Sequence, residues 1–247
     1  MRRFFIAPEN IKDDTVFIGL EEARHIRTVL RLGNGDKVVF FDGTGQEYQV
    51  RLEVQANGIL RGQVIHRSLR DSEPALRLYL AQGIAKGEKM GTIIQKAVEI
   101  GIDCVYPISC ERSVVRLQGE KADKKVERWQ TIAREACKQC RRSLVPEIKP
   151  IMNFSSLLPA IGRRPALMLY EDEAQNSLKD WLQAEVYNGV KEMFILVGPE
   201  GGFSDNEVLA AVKQGINTAS LGPRILRTET AGLVAASIIL YESGDLG

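Results

Sequence analysis

The stretch Phe194-Ile-Leu-Val197 runs directly into Gly198-Pro-Glu-Gly-Gly202-Phe-Ser-Asp-Asn-Glu207, and this junction decides the fold. The first four residues are typical of a buried strand, whereas Ser204 and Glu207 form the S-x-x-E pattern of a helix capping box. A strand followed through a tight glycine loop by a helix is the repeating unit of a mainly parallel α/β sheet. In open sheets of this kind, ligands bind at the loops beyond the carboxyl ends of the strands. The junction therefore predicts both a fold class and a place for a binding site.

The chemistry of the glycine loop narrows the class of ligand. Three glycines allow a ligand to approach the backbone closely, as in nucleotide-binding loops. The loop has neither the Gly-Lys-Ser/Thr ending of a Walker loop nor the G-x-G-x-x-G spacing. Glu200 would repel a pyrophosphate, but its carboxylate suits a ligand that offers hydroxyls, amines or positive charge. The alternative, a tight strand-to-helix turn, accounts for Gly201 or Gly202 but not for the whole string.

A second loop with unusual composition lies between the last predicted strand and the last helix, at residues 221–231. Apolar Ile225 and Leu226 stand there between two arginines, an arrangement suited to wrapping a flat, partly apolar group such as adenine. Thr228 and Thr230 are N-cap candidates, and the charge of Glu229 is favourable near a helix N-terminus. Capping leaves the second arginine of the loop unexplained.

The chain divides into two predicted domains, 1–72 and 73–247. The first consists of short strands with turns at Gly43-Thr-Gly45 and Asn57-Gly58, and one helix at 21–31 whose face is Ala23, Ile26, Val29 and Leu30. Five strands without helical crossovers predict a small β-barrel, a shape that often binds oligonucleotides. The strands are predicted at 2–7, 15–18, 36–41, 46–55 and 59–67.

After Asp71-Ser-Glu-Pro74, strands alternate with helices, which predicts an α/β domain with a mainly parallel sheet. Its strands are predicted at 76–84, 104–108, 166–170, 193–197 and 218–221. Its helices are predicted at 90–100 with a C-cap at Gly101, and at 124–142, 154–161, 178–185, 205–214 and 228–241.

Composition excludes several classes of protein. The chain has 247 residues, 44% of them hydrophobic and 26% charged, so it is a globular protein and not a disordered one. The longest apolar run, 231–241, is shorter than the roughly 20 residues that span a bilayer. The formal charge of +1 hides a basic segment at 108–149, where eleven basic and six acidic residues give +5. Such a segment suits an anionic partner such as nucleic acid, although a solvated helix face explains it equally well.

Four cysteines, Cys104, Cys110, Cys137 and Cys140, are too few for a disulfide scaffold in a chain of this length, so we expect a cytoplasmic protein. Cys137-x-x-Cys140 could suggest zinc, but the second ligand pair of a structural zinc site is missing, since the only histidines are His25 and His66. We therefore expect two thiols on a helix and no metal site.

The two C-terminal strings, Gly198-Pro-Glu-Gly-Gly202-Phe-Ser and Leu221-Gly-x-x-Ile-Leu-Arg-Thr-Glu-Thr-Ala231, resemble the RsmE (YggJ) family of small-subunit (16S) ribosomal RNA uridine N(3)-methyltransferases. These are SPOUT-class enzymes that use S-adenosyl-L-methionine (SAM). The resemblance extends over nearly the full length. Further matches are Arg3-Phe-Phe5, His25, Val29-Leu-Arg31, Gly35-Asp36, Lys96-Ala-Val-Glu99-Ile-Gly101, Pro107, Glu111-Arg112-Ser113, Ala133-x-Glu-Ala136-x-x-Gln139-x-x-Arg142 and Pro146.

The resemblance implies a PUA-like RNA-binding barrel, a SAM domain with a trefoil knot, and a homodimer that acts on small-subunit ribosomal RNA or the assembled 30S subunit. The apolar terminal helix, with Leu233, Val234, Ile238 and Ile239, could form the dimer interface, or it could simply pack in the core. Alternative functions are methylation at a ribose 2′-O or a guanine, and a non-catalytic ribosome-associated RNA binder. A nicotinamide dehydrogenase would need a dinucleotide fingerprint early in the domain, which Gly83-Ile-Ala-Lys-Gly87 does not provide.

These considerations assign roles to individual residues. We expect Arg227 to stabilise a uracil anion, and Glu200 or Glu229 to act as the base. We expect Lys96 and Glu99 to form an ion pair across one helical turn, whereas Gln139 has no role that we can derive. The expected cofactor-binding residues are Leu169, Glu171, Leu196, Val197, Gly198, Pro199, Glu200, Gly201, Leu221, Gly222, Ile225, Leu226, Arg227 and Thr230. The expected RNA-binding residues are Arg2, Arg3, Arg24, Arg27, Arg31, Arg112, Arg134, Arg141 and Arg142.

Overall fold

The computed structural model describes residues 1–56, 58–69, 73–183 and 189–246, which fold into two compact units. The first unit contains Met1–Glu73 and also Cys137–Val145, and the second contains Pro74–Ala136 and Pro146–Gly247. The predicted boundary at Ser72 lies outside the described residues. Sequence patterning gave no sign that a nine-residue segment from the middle of the chain packs with the first unit.

The first unit is built on a six-stranded sheet in the order β1-β4-β5-β6-β3-β2. Its neighbouring strands are antiparallel except β1 and β4, which are parallel. The five predicted strands are confirmed, and a sixth, β2, was missed because two residues are too short for an alternating pattern. The strands are β1 Arg3–Phe5, β2 Ile11–Lys12, β3 Thr15–Phe17, β4 Lys37–Phe41, β5 Gln46–Val54 and β6 Leu60–Leu69.

The predicted helix of this unit is present but is not a regular α-helix. Helix α1, Leu20–Arg24, continues as a π-helical turn over His25–Val29. Ile26 is fully buried in the core as predicted, but Val29 is 65% exposed. A π turn has more residues per turn than the 3.6 that the prediction assumed, so it rotates Val29 away from the apolar face. Of the predicted turns, the first has positive φ at both glycines, and Asn57 of the second lies outside the described residues.

The second unit contains a seven-stranded sheet in which every neighbouring pair is parallel. The order is β10-β8-β7-β12-β11-β13, and β9 also pairs with β8. The central strands are buried along almost their whole length, as expected for a parallel sheet covered on both faces. The strands are β7 Arg77–Gly83, β8 Cys104–Ser109, β9 Glu147–Ile148, β10 Met152–Asn153, β11 Ala166–Leu169, β12 Glu192–Val197 and β13 Asn217–Ala219.

In the described part of the chain, six helices accompany this sheet, and each of them overlaps a predicted helix. They are α2 Lys89–Ile100, α3 Glu120–Cys140, α4 Phe154–Ile161, α5 Leu178–Gln183, α6 Asp205–Lys213 and α7 Thr228–Glu242. Gly101 caps α2 with a φ of 122°, as predicted. Helix α3 begins four residues earlier than predicted. Positions 184 and 185 of the helix predicted at 178–185 lie outside the described residues. The short strands β9 and β10 were missed for the same reason as β2.

Within the described ranges, no helix is both long and apolar enough to cross a membrane. Helix α7, which contains the longest apolar run, has Ile239 fully buried in the core, whereas Ile238 is 39% exposed. Leu233 and Val234 are half-buried. Core packing therefore accounts for part of this helix's apolar composition.

Arg3 is the centre of a buried polar cluster in the first unit. Its guanidinium lies 2.6 Å from Glu47, donates to the carbonyl of Arg142 and to Ser143, and lies over the ring of Phe41. The Arg3 side chain is only 8% exposed.

Arg142 is similarly enclosed, in an ion pair with Glu73 at 2.5 Å. Both arginines are paired with internal carboxylates, and their burial weighs against the predicted contacts of Arg3 and Arg142 with RNA. Their positive charge stabilises the return of Cys137–Val145 to the first unit.

Replacing Arg3 by methionine should lower the free energy of unfolding by about 3 kcal/mol, because Glu47 would lose the charge that compensates its burial. Chemical denaturation monitored by circular dichroism measures the change. Arg2→Met is the matched control, since Arg2 is the exposed neighbour and its substitution should cost less than about 0.5 kcal/mol. Equal losses in the two variants would contradict the structural role of Arg3.

Candidate functional site

A cleft of about 670 Å³ lies in the second unit, beyond the carboxyl ends of β11, β12 and β13. This is the edge of the sheet where a parallel α/β fold binds ligands, and the volume is in the range of small-molecule sites. Most of the residues predicted to bind the cofactor line it. They are Leu169, Glu171, Val197, Gly198, Pro199, Glu200, Leu221, Gly222, Ile225, Leu226 and Arg227.

Three residues of that prediction do not line the cleft. Leu196 is fully buried in the core of the sheet, because alternate residues of β12 face opposite sides. Gly201 lies against Arg112, because a Cβ added to Gly201 would be 3.1 Å from the Cβ of Arg112. Thr230 is exposed in the first turn of α7.

The glycine loop after β12 is tightly packed on itself and on the sheet. A Cβ added to Gly198 would lie 2.9 Å from the carbonyl carbon of Gly202, and Gly202 has a φ of 67°. A Cβ added to Gly83, at the end of β7, would lie 2.4 Å from the nitrogen of Pro199. Packing therefore requires glycine at more positions here than the sequence suggested. The backbone of the loop lies directly against the end of the central strand.

The helix that follows the loop begins at the predicted capping box. Ser204 accepts a hydrogen bond from the amide of Glu207 at 3.2 Å, and the Glu207 carboxylate accepts one from the Ser204 amide at 2.9 Å. The second carboxylate oxygen of Glu207 accepts from the amide of Glu111, which follows β8. The buried glutamate thus joins two loops at the same edge of the sheet.

A short chain of hydrogen bonds connects the glycine loop with the start of α7 and the end of β7. The Thr228 hydroxyl donates to the carbonyl of Gly198 at 2.6 Å and accepts from the fully buried amide of Gln82 at 2.9 Å. The N-cap of α7 is Arg227, without a side-chain cap, so the prediction that Thr228 or Thr230 is the N-cap is wrong. Thr228 has its hydroxyl engaged with the glycine loop, and it lies one residue inside the helix.

Lys89, the first residue of α2, brings together two of the predicted catalytic residues. Its ammonium lies 3.2 Å from Glu200 and 3.1 Å from Glu229, and all three side chains line the cleft. Sequence reasoning missed Lys89, although its helix follows the central strand β7 and the rule about carboxyl ends of strands applies to it equally.

The three charges shift one another's protonation equilibria. Partial burial would raise the pKa of Glu200, but the amides of Lys86 and of Glu200 itself, together with the Lys89 ammonium, outweigh burial and lower it. The backbone amide of Glu229, and then Lys89, lower the pKa of that carboxyl against the opposing effect of burial. The carboxylates of Glu229 and Glu200 in turn raise the pKa of Lys89. At neutral pH the site therefore holds two carboxylates and one ammonium.

Comparisons with known proteins agree with this architecture. A family model described as an RNA methyltransferase domain matches residues 72–240, and one described as an RNA methyltransferase PUA domain matches residues 17–59. Ribosomal RNA small subunit methyltransferase E of Bacillus subtilis is 35% identical, with 98% of this chain and 97% of that protein covered.

The chain belongs to the ribosomal RNA small subunit methyltransferase E family.

Solved structures of the family share the whole fold of this methyltransferase. The crystal structure of ribosomal RNA small subunit methyltransferase E from Neisseria gonorrhoeae, bound to S-adenosyl methionine, has a TM-score of 0.84 and 32% identity, covering 97% of this chain and 96% of that one. A protein from Legionella pneumophila, solved in complex with SAM, has a TM-score of 0.84 and 30% identity, covering 96% of both chains.

In the methyltransferase, the side chain of Arg227 is less constrained by neighbouring charges than that of Lys89. Its side chain is 82% exposed, and its guanidinium comes no closer than 4.0 Å to Glu229. Weakly held at the mouth of the cleft, this side chain can turn toward a ligand. Of the three predicted catalytic residues, it is the one that keeps most of its hydrogen-bonding capacity for a substrate.

Most of the remaining predicted RNA-binding arginines are more accessible than Arg3 and Arg142. In the second unit, Arg112 is about half exposed, with Asp205 at 3.5 Å, and Arg134 is half-buried on α3. The others all belong to the first unit and are exposed. They are Arg2, Arg24, Arg27, whose guanidinium donates to the carbonyl of Gly58, Arg31 and Arg141.

Two side-chain pairs that the sequence singled out lie away from the cleft lining. Cys137 and Cys140 are in the last turn of α3, which confirms the expectation of two thiols on a helix. In the parts of the chain that the structure describes, no group of three or more potential metal ligands is found. Lys96 and Glu99 form the predicted ion pair at 2.8 Å, and Gln139 is exposed.

Replacing Thr228 by valine should destabilise the methyltransferase by about 2 kcal/mol, because the Gly198 carbonyl and the Gln82 amide would lose a buried partner. The same change should weaken SAM binding about tenfold by loosening the glycine loop. Denaturation and isothermal titration calorimetry measure the two effects. Thr230→Val, in the same turn but exposed, is the control and should leave both nearly unchanged; an equal response of the two variants would exclude the hydrogen-bond chain as the cause.

Proposed function

We propose that this methyltransferase binds SAM in the cleft and transfers its methyl group to N3 of a uridine in 16S ribosomal RNA, acting as a homodimer on the RNA or on the 30S subunit. Membership in the family supports ribosomal RNA as the class of substrate. The observation that carries the proposal is the composition of the cleft at the carboxyl ends of the strands.

The cleft lining fits SAM in shape and charge. Gly198, Gly202 and Gly222 leave backbone groups open to a ligand, and apolar Ile225 and Leu226 suit an adenine ring. Four carboxylates and three basic side chains line the cleft, a net charge opposite to that of SAM, which carries one more positive than negative group. The glycine loop has no lysine, and Lys89 of the cleft lining is already held by two carboxylates, so nucleotide phosphates fit poorly.

Bound SAM would supply an electrophilic methyl group on a sulfonium, and the residues of the chain have to prepare the uridine. N3 of uracil is a weak nucleophile until it loses its proton, and negative charge then spreads to the ring carbonyls. Arg227, with its exposed guanidinium, can donate hydrogen bonds to those oxygens. Glu200 and Glu229 are anions in this cleft, so either can accept a hydrogen bond from N3–H and orient the ring.

The lowered pKa values make these two glutamates weaker general bases than free glutamate would be. One of them still has to take up the N3 proton as the N3–methyl bond forms and the sulfur–methyl bond breaks, but most of the barrier reduction should come from placing N3 in line with the methyl carbon. This modifies the sequence-based expectation that one of them acts simply as the base.

The proposal also includes the homodimer and the trefoil knot that the family resemblance implies. Partly exposed apolar residues on α7, including Ile238 and Tyr241, are available for an interface.

The exposed arginines of each unit can contact RNA phosphates, so that RNA affinity would fall steeply with salt concentration. The two alternatives, a different methylated position and a non-catalytic RNA binder, are separated by a single product analysis.

Incubating the protein with SAM and small ribosomal subunits should produce a single N3-methyluridine, detected by nuclease digestion and mass spectrometry. Subunits from a strain that lacks its own enzyme for this modification avoid a pre-methylated substrate. A methylated ribose or guanine would overturn the uridine assignment but keep the enzyme class, and binding of subunits without any methyl transfer would favour the non-catalytic alternative.

Arg227→Ala should bind SAM within about threefold of the wild-type affinity but transfer the methyl group roughly 100-fold more slowly, because a donor to the developing charge is lost. Single-turnover methylation at saturating SAM measures the chemical step. Arg224→Ala, on the same loop, is the control. An unchanged single-turnover rate in Arg227→Ala would remove the catalytic role of this side chain.

A further inference from the structure

Lys89 contacts two carboxylates of the cleft, and neither the sequence motifs nor the comparisons identify it. It comes from α2, whereas Glu200 belongs to the glycine loop and Glu229 to the first turn of α7. The two carboxylate oxygens that contact its ammonium lie within about 6.3 Å of each other. Three separate chain segments thus meet at one positive charge.

We propose that Lys89 is a positioning residue of the SAM site, whose ammonium holds Glu200 and Glu229 together and so fixes the separation of the two cleft walls. The proposal rests on the function proposed above. It assigns the cohesion of the walls to one ion-paired lysine in addition to the hydrogen bonds of Thr228.

Repulsion between the carboxylates of Glu200 and Glu229 is the reason that the cleft walls need a positive charge between them. Two carboxylate oxygens no more than about 6.3 Å apart repel each other in a site that is partly shielded from water, and the ammonium that contacts both converts this repulsion into two attractions. Without that charge, the carboxylates can relieve the repulsion in two ways: the walls move apart, or one carboxyl group takes up a proton. A protonated carboxyl can donate a hydrogen bond to the other carboxylate, which restores a bridge at low pH.

Other charged groups nearby leave this balance in place. Arg227 is exposed and reaches only one of the two carboxylates, at 4.0 Å, and Lys86 contributes its backbone amide to Glu200. Glu88, next to Lys89 in the chain, is paired with Arg128 on α3. The remaining charged groups of the cleft lining are Glu171, Glu173 and Arg224.

The test compares SAM binding by the wild type, Lys89→Met and Lys89→Arg between pH 5.5 and 8.5, using isothermal titration calorimetry. Wild-type affinity should change with pH only through the amino group of SAM itself, which titrates at about pH 8, because both carboxylates stay ionised throughout this range. Each variant is therefore compared with the wild type at the same pH. Lys89→Met should bind SAM normally at the lowest pH and about tenfold more weakly at the highest, where both unpaired carboxylates ionise. Lys89→Arg should restore most of the affinity, since it restores the charge.

A double-mutant cycle shows whether the effect passes through the carboxylates. Combining Lys89→Met with Glu229→Gln should recover most of the affinity lost at high pH, which corresponds to a coupling of about tenfold. The matched control is the exposed pair on the same helix, Lys96→Met with Glu99→Gln, for which SAM affinity should stay at the wild-type value. Tighter SAM binding by Lys89→Met at high pH would overturn the proposal, because it would mean that the cluster acts only by attracting a cation.

A ligand-free measurement separates this proposal from the proposed function. Carbon-13 NMR titration of the glutamate side chains in the unliganded protein should show the pKa of one cleft carboxyl moving up in Lys89→Met, above the ordinary glutamate value. If the wild type failed to bind SAM but this shift appeared, the proposed function would fail while the pairing by Lys89 would stand. If no carboxyl titrated differently in the variant, the role of Lys89 would be rejected whatever the protein binds.

Discussion

The close approach of backbone to backbone at the end of the central strand is the constraint on which the site depends. Pro199 packs against Gly83, and Gly198 packs against Gly202, at distances that leave no room for a side chain. Because the loop is held this tightly, its carbonyl and amide groups have fixed positions beyond the sheet edge. Thr228 can then reach the Gly198 carbonyl, and the start of α7 is placed opposite the loop.

The site that results is assembled from segments far apart in the chain. The glycine loop, the loop before α7 and the end of β11 form the walls of the cleft, and Lys89 reaches it from α2. Hydrogen bonds through buried Thr228 are largely insensitive to salt, whereas the ion pairs of Lys89 lie at a partly exposed mouth where ions screen them. The cleft is therefore held by contacts that differ in their sensitivity to salt.

Charge in this protein serves two purposes that composition cannot separate. Arg3 and Arg142 lie in buried ion pairs of the first unit, and the segment Cys137–Val145 that they stabilise comes from the basic middle of the chain. Arg2, Arg24 and Arg31 are exposed and remain available to a polyanion. Arg2 precedes β1 and is exposed, whereas Arg3, the first residue of the strand, has its side chain paired with Glu47.

The sequence by itself determined the fold class, nearly every long helix and strand, and the two loops that line the cleft, because apolar periodicity, glycine strings and the capping box are local signals. The strands β2, β9 and β10 were missed because two residues carry no period, and the N-cap was misplaced because the hydroxyl of Thr228 is used by a residue 30 positions away. Only the tertiary structure showed that Lys89 joins Glu200 to Glu229 and that Arg3 is buried. These contacts join residues distant in sequence, and which partner a charge finds depends on the packing of whole elements, not on the residues beside it in the chain.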